Sequence, residues 1–250
     1  MTGTINDHAE KLSFAKLIFL FEQYTKRLTS DIDEHREMKY HYNNAKKCLL
    51  AAEYFLKKSN QLQFASVHFS FLEVFKQMNK ETSDGSTLTR LPPNLEIPLD
   101  LFKSEKEYYA LIESKDIWSI HKELFYNVEP IYLNLWNFII DCSEVGELGN
   151  LRRLAPRITR VRNNLIEHKY SPRKKRTFTN EWGWDDERGV FLKSKEVHFK
   201  PNGIVEFTNV DFEHGLNDDL KEFLTNVSKE LSKLIIQRDT ENREFGDFLE

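Results

Sequence analysis

Two hydrophobic periods divide this chain, and they limit its fold more than any other feature. Apolar residues recur about every 3.6 positions in AEKLSFAKLIFLFEQYTKRL, EHREMKYHYNNAKKCLLAAEYFLKK and QLQFASVHFSFLEVFKQM, which predicts three long amphipathic helices in an antiparallel bundle. SEKEYYALIES reads as a short helix capped by its first Ser. IWSIHKELFYNVEPIYLNLWNFIIDCSEVGE reads as a longer one that Pro130 should kink or divide. From residue 177 to 212 the period changes to two around the turn signal Lys200-Pro201-Asn202-Gly203, predicting a β-hairpin or a three-stranded antiparallel insertion. LNDDLKEFLTNVSKELSKLIIQ then forms the last helix, with Asp218 and Asp219 suited to the positive end of its dipole.

The expectation is therefore a mainly α chain, one domain over residues 1–250. The stretch 81–98, dense in Gly, Ser, Thr and Pro, is read as a surface loop and the best internal break. Scarce Gly (9) and Pro (7) agree with long helices. Only Cys48 and Cys142 occur, so neither a disulfide framework nor a thiolate metal cluster can be built. MTGTINDHAE lacks the features of a signal peptide, and the apolar run from Phe14 to Phe21 is too short to span a bilayer, so a cytoplasmic location without a membrane partner is expected. No GxxxxGK[ST], GxGxxG or GxSxG pattern occurs, which removes the phosphate cradle or nucleophile elbow of P-loop ATPases, dinucleotide oxidoreductases and serine hydrolases.

The strongest functional signal is electrostatic. Between Leu151 and Arg176 stand ten Arg or Lys against Glu167 alone, a charge of +9; the whole chain carries -4, so the rest must sum to -4 - 9 = -13. Such polarisation fits a site for phosphate groups, with nucleic acid the natural polyanion. The competing reading is that these cations pair with surplus carboxylates elsewhere in the bundle or in a partner chain. Pro156 suits the first turn of a helix that Ser171-Pro172 would end. On that helix Leu154, Ile158, Val161 and Leu165 form one apolar stripe, with Arg162 about 80° to one side and His168 about 40° to the other. An always-charged guanidinium and an imidazole that titrates near neutrality thus share one helix. Taken alone, a histidine near a helix C-terminus is also explained by the dipole.

Arg162-Asn163, four further residues and His168, preceded by Arg160 and followed by Tyr170, resemble the Arg-x(4 to 6)-His signature of the HEPN superfamily. The order of helices, then RNNLIEH, then a last helix is similar as well, and the strands at 177–212 look like an insertion beyond the family minimum. The resemblance implies an antiparallel helical bundle and a homodimer whose two motif helices form one cleft. It implies either a metal-independent endoribonuclease of toxin-antitoxin, abortive-infection or antiviral-defence type, or a catalytically silent module that binds RNA, nucleotide or protein. In the first case two copies of His168 supply the base for the 2′-hydroxyl and the acid for the leaving oxygen, and two copies of Arg162 steady the phosphorane. Asn163, Glu167 and Tyr170 would support them, while Arg157, Arg160, Lys169, Arg173, Lys174, Lys175 and Arg176 would hold the RNA backbone. No cofactor or metal is implied; an antitoxin or defence partner protein is.

Three other groups compete for attention. Glu37 and His41 have the i, i+4 spacing that can share a metal ion, although a solvated helix face explains them too. His68 and His121 lie in apolar helices and read as satisfied boundary residues. Trp182, Trp184 and Phe191 could stack bases, but packing onto the domain is favoured.

Overall fold

A computed structural model describes residues 13–28, 36–79, 97, 101–144, 148–161, 170–171, 176–185, 189–203 and 205–247. The described residues are mainly helical: α1 (Phe14–Arg27), α2 (Arg36–Asn79), α3 (Glu105–Glu113), α4 (Ile117–Ser143), α5 (Leu151–Leu154), α6 (Pro156–Val161) and α7 (Leu216–Asp247). Four strands, β1 (Tyr170–Ser171), β2 (Arg176–Asp185), β3 (Gly189–Phe199) and β4 (Val205–Gly215), precede α7. The chain divides into two compact units, Met1–Ala52 with Tyr132–Glu250, and Glu53–Ile131, so that α2 and α4 each contribute residues to both. Most of the loop expected over 81–98 lies outside the described residues.

Local chemistry accounts for the helix starts. The Ser13 side chain accepts from the Lys16 N–H at 3.2 Å, and Phe14, Leu17, Phe21 and Tyr24 then fall on one buried face of α1. Ser104 caps α3 by accepting from the Glu107 N–H at 3.3 Å, while Glu107 reaches back to the Lys103 N–H at 2.8 Å, a reciprocal capping arrangement. Asp116 accepts from the Ser119 N–H at 2.7 Å at the start of α4, and that backbone donor holds its carboxyl below the usual range.

One helix boundary is corrected, and at Pro130 the dividing alternative is removed. The second and third stretches form the single 44-residue helix α2. No Gly or Pro interrupts Lys58-Ser59-Asn60-Gln61, and the polar pair is accommodated: Ser59 is buried, and Gln61 donates to the Leu101 carbonyl at 2.6 Å. α4 runs through Pro130 without dividing, carried by buried residues on both sides, Leu124 and Val128 before it and Ile131 and Leu135 after it.

Each unit has an aromatic centre. In the first, the Phe21 ring meets Tyr42 and Phe138 edge-on, with centroids 5.8 and 5.4 Å away, and Phe138 meets Phe223 at 5.8 Å. These rings join α1, α2, α4 and α7. Arg27 in the last turn of α1 grips Asp239 of α7 through Nε at 2.7 Å and a second guanidinium nitrogen at 3.0 Å. In the second unit Phe64, Phe102 and Tyr108 meet within 5.1 to 6.0 Å, and burial pushes the Tyr108 phenol well up.

The sheet is larger than expected and begins earlier. β1 to β4 pair antiparallel in chain order, with Tyr170 opposite Thr177, Gly183 opposite Phe191 and Leu192 opposite His214. The β3–β4 turn closes through the Gly203 N–H to the Lys200 carbonyl at 3.0 Å, and Gly203 takes a φ of +78° that favours glycine. Phe191 lies across Gly183 so closely that a Cβ there would run into its ring. Phe191 is therefore used in packing; the Trp182 and Trp184 side chains lie outside what the structure describes.

Phe138→Ala should lower the free energy of unfolding by about 3–5 kcal/mol, since it removes a fully buried ring that contacts two others. Chemical denaturation followed by circular dichroism measures it; a loss below about 1 kcal/mol would contradict this account of the core.

Candidate nucleic-acid interface

The basic region opens on two turns too short to persist alone. α5 has four residues and α6 six, so both depend on tertiary contacts. Leu151, Ile158 and Val161 are buried and Leu154 is half-buried, so the described part of the expected apolar stripe faces the interior. Pro156 opens α6, where its missing N–H costs nothing. The Asn226 amide donates to the Leu154 carbonyl at 2.7 Å, tying the end of α5 to α7, and the Arg157 N–H donates to Glu222 Oε1 at 3.2 Å.

The Arg157 side chain completes this attachment. Its Nε lies 3.2 Å from Glu222 Oε2, and one terminal nitrogen lies 3.5 Å from Asp219 Oδ1 and 3.9 Å from Asp218 Oδ2. Asp219 is 0% exposed, and its other oxygen accepts from the Tyr132 hydroxyl at 2.7 Å. A carboxylate removed from water is costly unless paired and hydrogen-bonded, and here Tyr132 of α4 and Arg157 of α6 supply both. Burial, with Asp219 alongside, pushes the Tyr132 phenol far above its usual range, so it remains a donor at any ordinary pH.

Arg157, expected as a phosphate contact, pairs within the chain: its half-exposed cation faces three carboxylates at the start of α7. For this residue the pairing alternative is the one realised. Arg160 is exposed on the same helix, and the Arg152 guanidinium lies 5.8 Å from the centre of the Trp136 ring, a cation–π contact.

Arg162, Asn163, Glu167, His168 and Lys169 lie outside the described residues, as do Arg173, Lys174 and Lys175. The segment that carries Arg162 and His168 joins α6 to β1. Tyr170 and Arg176 are described by their backbone alone: Tyr170 pairs with Thr177, and Ser171 with Arg176. Tyr170 stands in a strand where a helix end was expected. The proline at 172 disfavours helical backbone at Ser171, and pairing with β2 stabilises the extended alternative.

Elsewhere the candidate chemical groups are occupied. His41 Nδ1 lies 3.0 Å from Asp141 Oδ1, so the half-buried His41 faces α4, and the proposed pairing with Glu37 gives way to this contact. His121 Nε2 lies 2.6 Å from Ser66 Oγ, a satisfied helix–helix contact. Among the described residues no group of His, Cys, Asp or Glu is arranged to hold a metal ion, and no helix is long and apolar enough to cross a membrane. Burial pushes the Cys48 thiol up to about 11, with Asp141 adding to the shift, and also pushes the fully buried Cys142 thiol well up.

Sequence reasoning missed Tyr132, Asp219 and Glu222 as anchors of the basic region. The usable signal was the run of Asp218, Asp219 and Glu222 within one turn, more negative charge than a helix dipole needs.

Asp219→Ala should cost about 1–3 kcal/mol of stability, because it strands the buried Tyr132 hydroxyl while Arg157 keeps Glu222 and Asp218. A shift in denaturation midpoint equivalent to under about 1 kcal/mol would contradict the anchor. At pH 8 the Cys48 thiolate fraction falls to about one in a thousand, against about a quarter for an ordinary thiol. Iodoacetamide should therefore label the native chain at least about 100-fold more slowly than the unfolded chain, as read by mass spectrometry. Compared with known proteins, the chain matches no family model, no curated protein and no solved structure.

Proposed function

We propose that the chain is a metal-independent endoribonuclease of HEPN type, acting as a cytoplasmic homodimer in a toxin or phage-defence setting. The observation that carries this reading is the +9 segment from Leu151 to Arg176 around Arg162 and His168, in a chain otherwise acidic. The long helices suit the antiparallel bundle of that family, and the sheet before α7 is an addition to it.

The chemistry asks little more of the protein. A 2′-hydroxyl can attack its own phosphate if one group takes its proton, another protonates the leaving oxygen and a cation steadies the phosphorane. Two copies of His168 and two of Arg162 meet this need across a twofold axis. Asn163, Glu167 and Tyr170 support them, and Arg160, Lys169, Arg173, Lys174, Lys175 and Arg176 hold the RNA backbone without reading sequence. An antitoxin or other defence partner would act by covering this surface.

One observation favours a second reading, a catalytically silent module that binds RNA, nucleotide or an acidic protein. Arg157 already pairs with internal carboxylates, so part of the basic segment serves the fold. Incubation of labelled RNA with EDTA present separates the two. Cleavage by wild type should fall at least about a thousandfold in His168→Ala and in Arg162→Ala, with circular dichroism and sedimentation unchanged. Wild-type protein inert on diverse RNAs would establish the binding module instead.

A further inference from the structure

The exposed face of α4 in the Glu53–Ile131 unit carries an unusual series. Trp118 is 81% exposed and Tyr126 68% exposed, and between them lies the exposed Lys122, whose ammonium sits 5.9 Å from the centre of the Tyr126 ring. The three residues follow one another at i, i+4 and i+8, so they form a single stripe about 12 Å long. The opposite side of the helix is committed to the fold: Ile120 and Leu124 are buried, and His121 bonds Ser66.

Exposing a tryptophan to this degree forgoes most of the stabilisation that burying its ring would give. The charge along the stripe points one way. Ser119 is the other exposed residue between Trp118 and Tyr126, and the carboxylate nearest in sequence, Glu123, is half-buried and held by Lys115. Among the described residues no carboxylate pairs with Lys122, and a cation between two open π-faces complements a strand that alternates bases with phosphates. A purely apolar partner helix would have to desolvate Lys122.

We propose that Trp118, Lys122 and Tyr126 form a docking stripe for single-stranded RNA, with bases stacked on the two rings and a phosphate on the ammonium. This rests on the reading that RNA is what the chain engages, and it assigns that RNA a second contact apart from the basic segment. Sequence preference is not expected, because every base offers a π-face.

Fluorescence anisotropy with a labelled, 2′-O-methylated oligouridine, which resists cleavage, tests it. Trp118→Ala and Tyr126→Ala should each weaken binding by about fivefold to a hundredfold, with Trp118→Phe retaining most of the affinity. Lys122→Gln should reduce the slope of log affinity against log salt by about 0.7. All three side chains project from an exposed helix face, so thermal melts of the four variants should match wild type. Unchanged affinity in both alanine variants, with wild type still binding, would overturn the stripe and leave the RNA reading standing. Failure of wild type to bind any oligonucleotide would overturn both. A change in oligomeric state in the alanine variants, without loss of affinity, would assign the face to a second copy of the chain.

Discussion

A carboxylate cut off from water organises the docking of the first basic helices onto α7. Asp219 has no exposure, yet it lies in the first turn of the longest C-terminal helix and binds the Tyr132 hydroxyl of α4 on one side and the Arg157 guanidinium of α6 on the other. Desolvating a single charge costs several kcal/mol, so the arrangement holds only while both partners are present. That requirement makes Asp219 a fastener. It obliges the six-residue α6, which could not persist alone, to dock beside α7, and the Glu222 contacts to the Arg157 backbone and side chain reinforce the attachment.

The consequence reaches into the basic region. Ten cations between Leu151 and Arg176 look uniform as a string of letters, but two of those whose side chains are described make contacts of different kinds. Arg157 neutralises carboxylates at the start of α7, and Arg152 covers the Trp136 ring. The segment after Val161, with Arg162 and His168, leaves this anchored turn and enters β1 at Tyr170.

How much of this could be read from the letters depended on distance along the chain. Local signals transferred well: Ser104 caps a helix, Pro156 opens one, and Gly203 takes the left-handed turn that its neighbours announced. Breakers were over-read. Ser59-Asn60 does not end α2, and Pro130 does not divide α4, because burial of the flanking residues outweighs a local preference of a few kcal/mol. β1 was missed because two residues show no period, and their strand character comes from the partner across the turn. The fate of Arg157 was hidden for a similar reason. Its partners lie more than 60 residues away, and no local rule couples a basic helix start to an acidic one. The α4 stripe was legible as an aromatic, a lysine and an aromatic at helical spacing, but its exposure could be learned only from the packing of the opposite face.

The central claim is the division of labour among the cations, and the salt dependence of RNA affinity tests it most directly. On the proposed RNA reading, and with the same non-cleavable oligonucleotide, Arg157→Gln should keep the wild-type slope of log affinity against log salt, because that guanidinium is already paired with carboxylates. Arg162→Gln should lower the slope by about 0.7, the loss of one phosphate contact to a single strand. A slope that falls in Arg157→Gln as far as in Arg162→Gln, or in neither, would contradict the account.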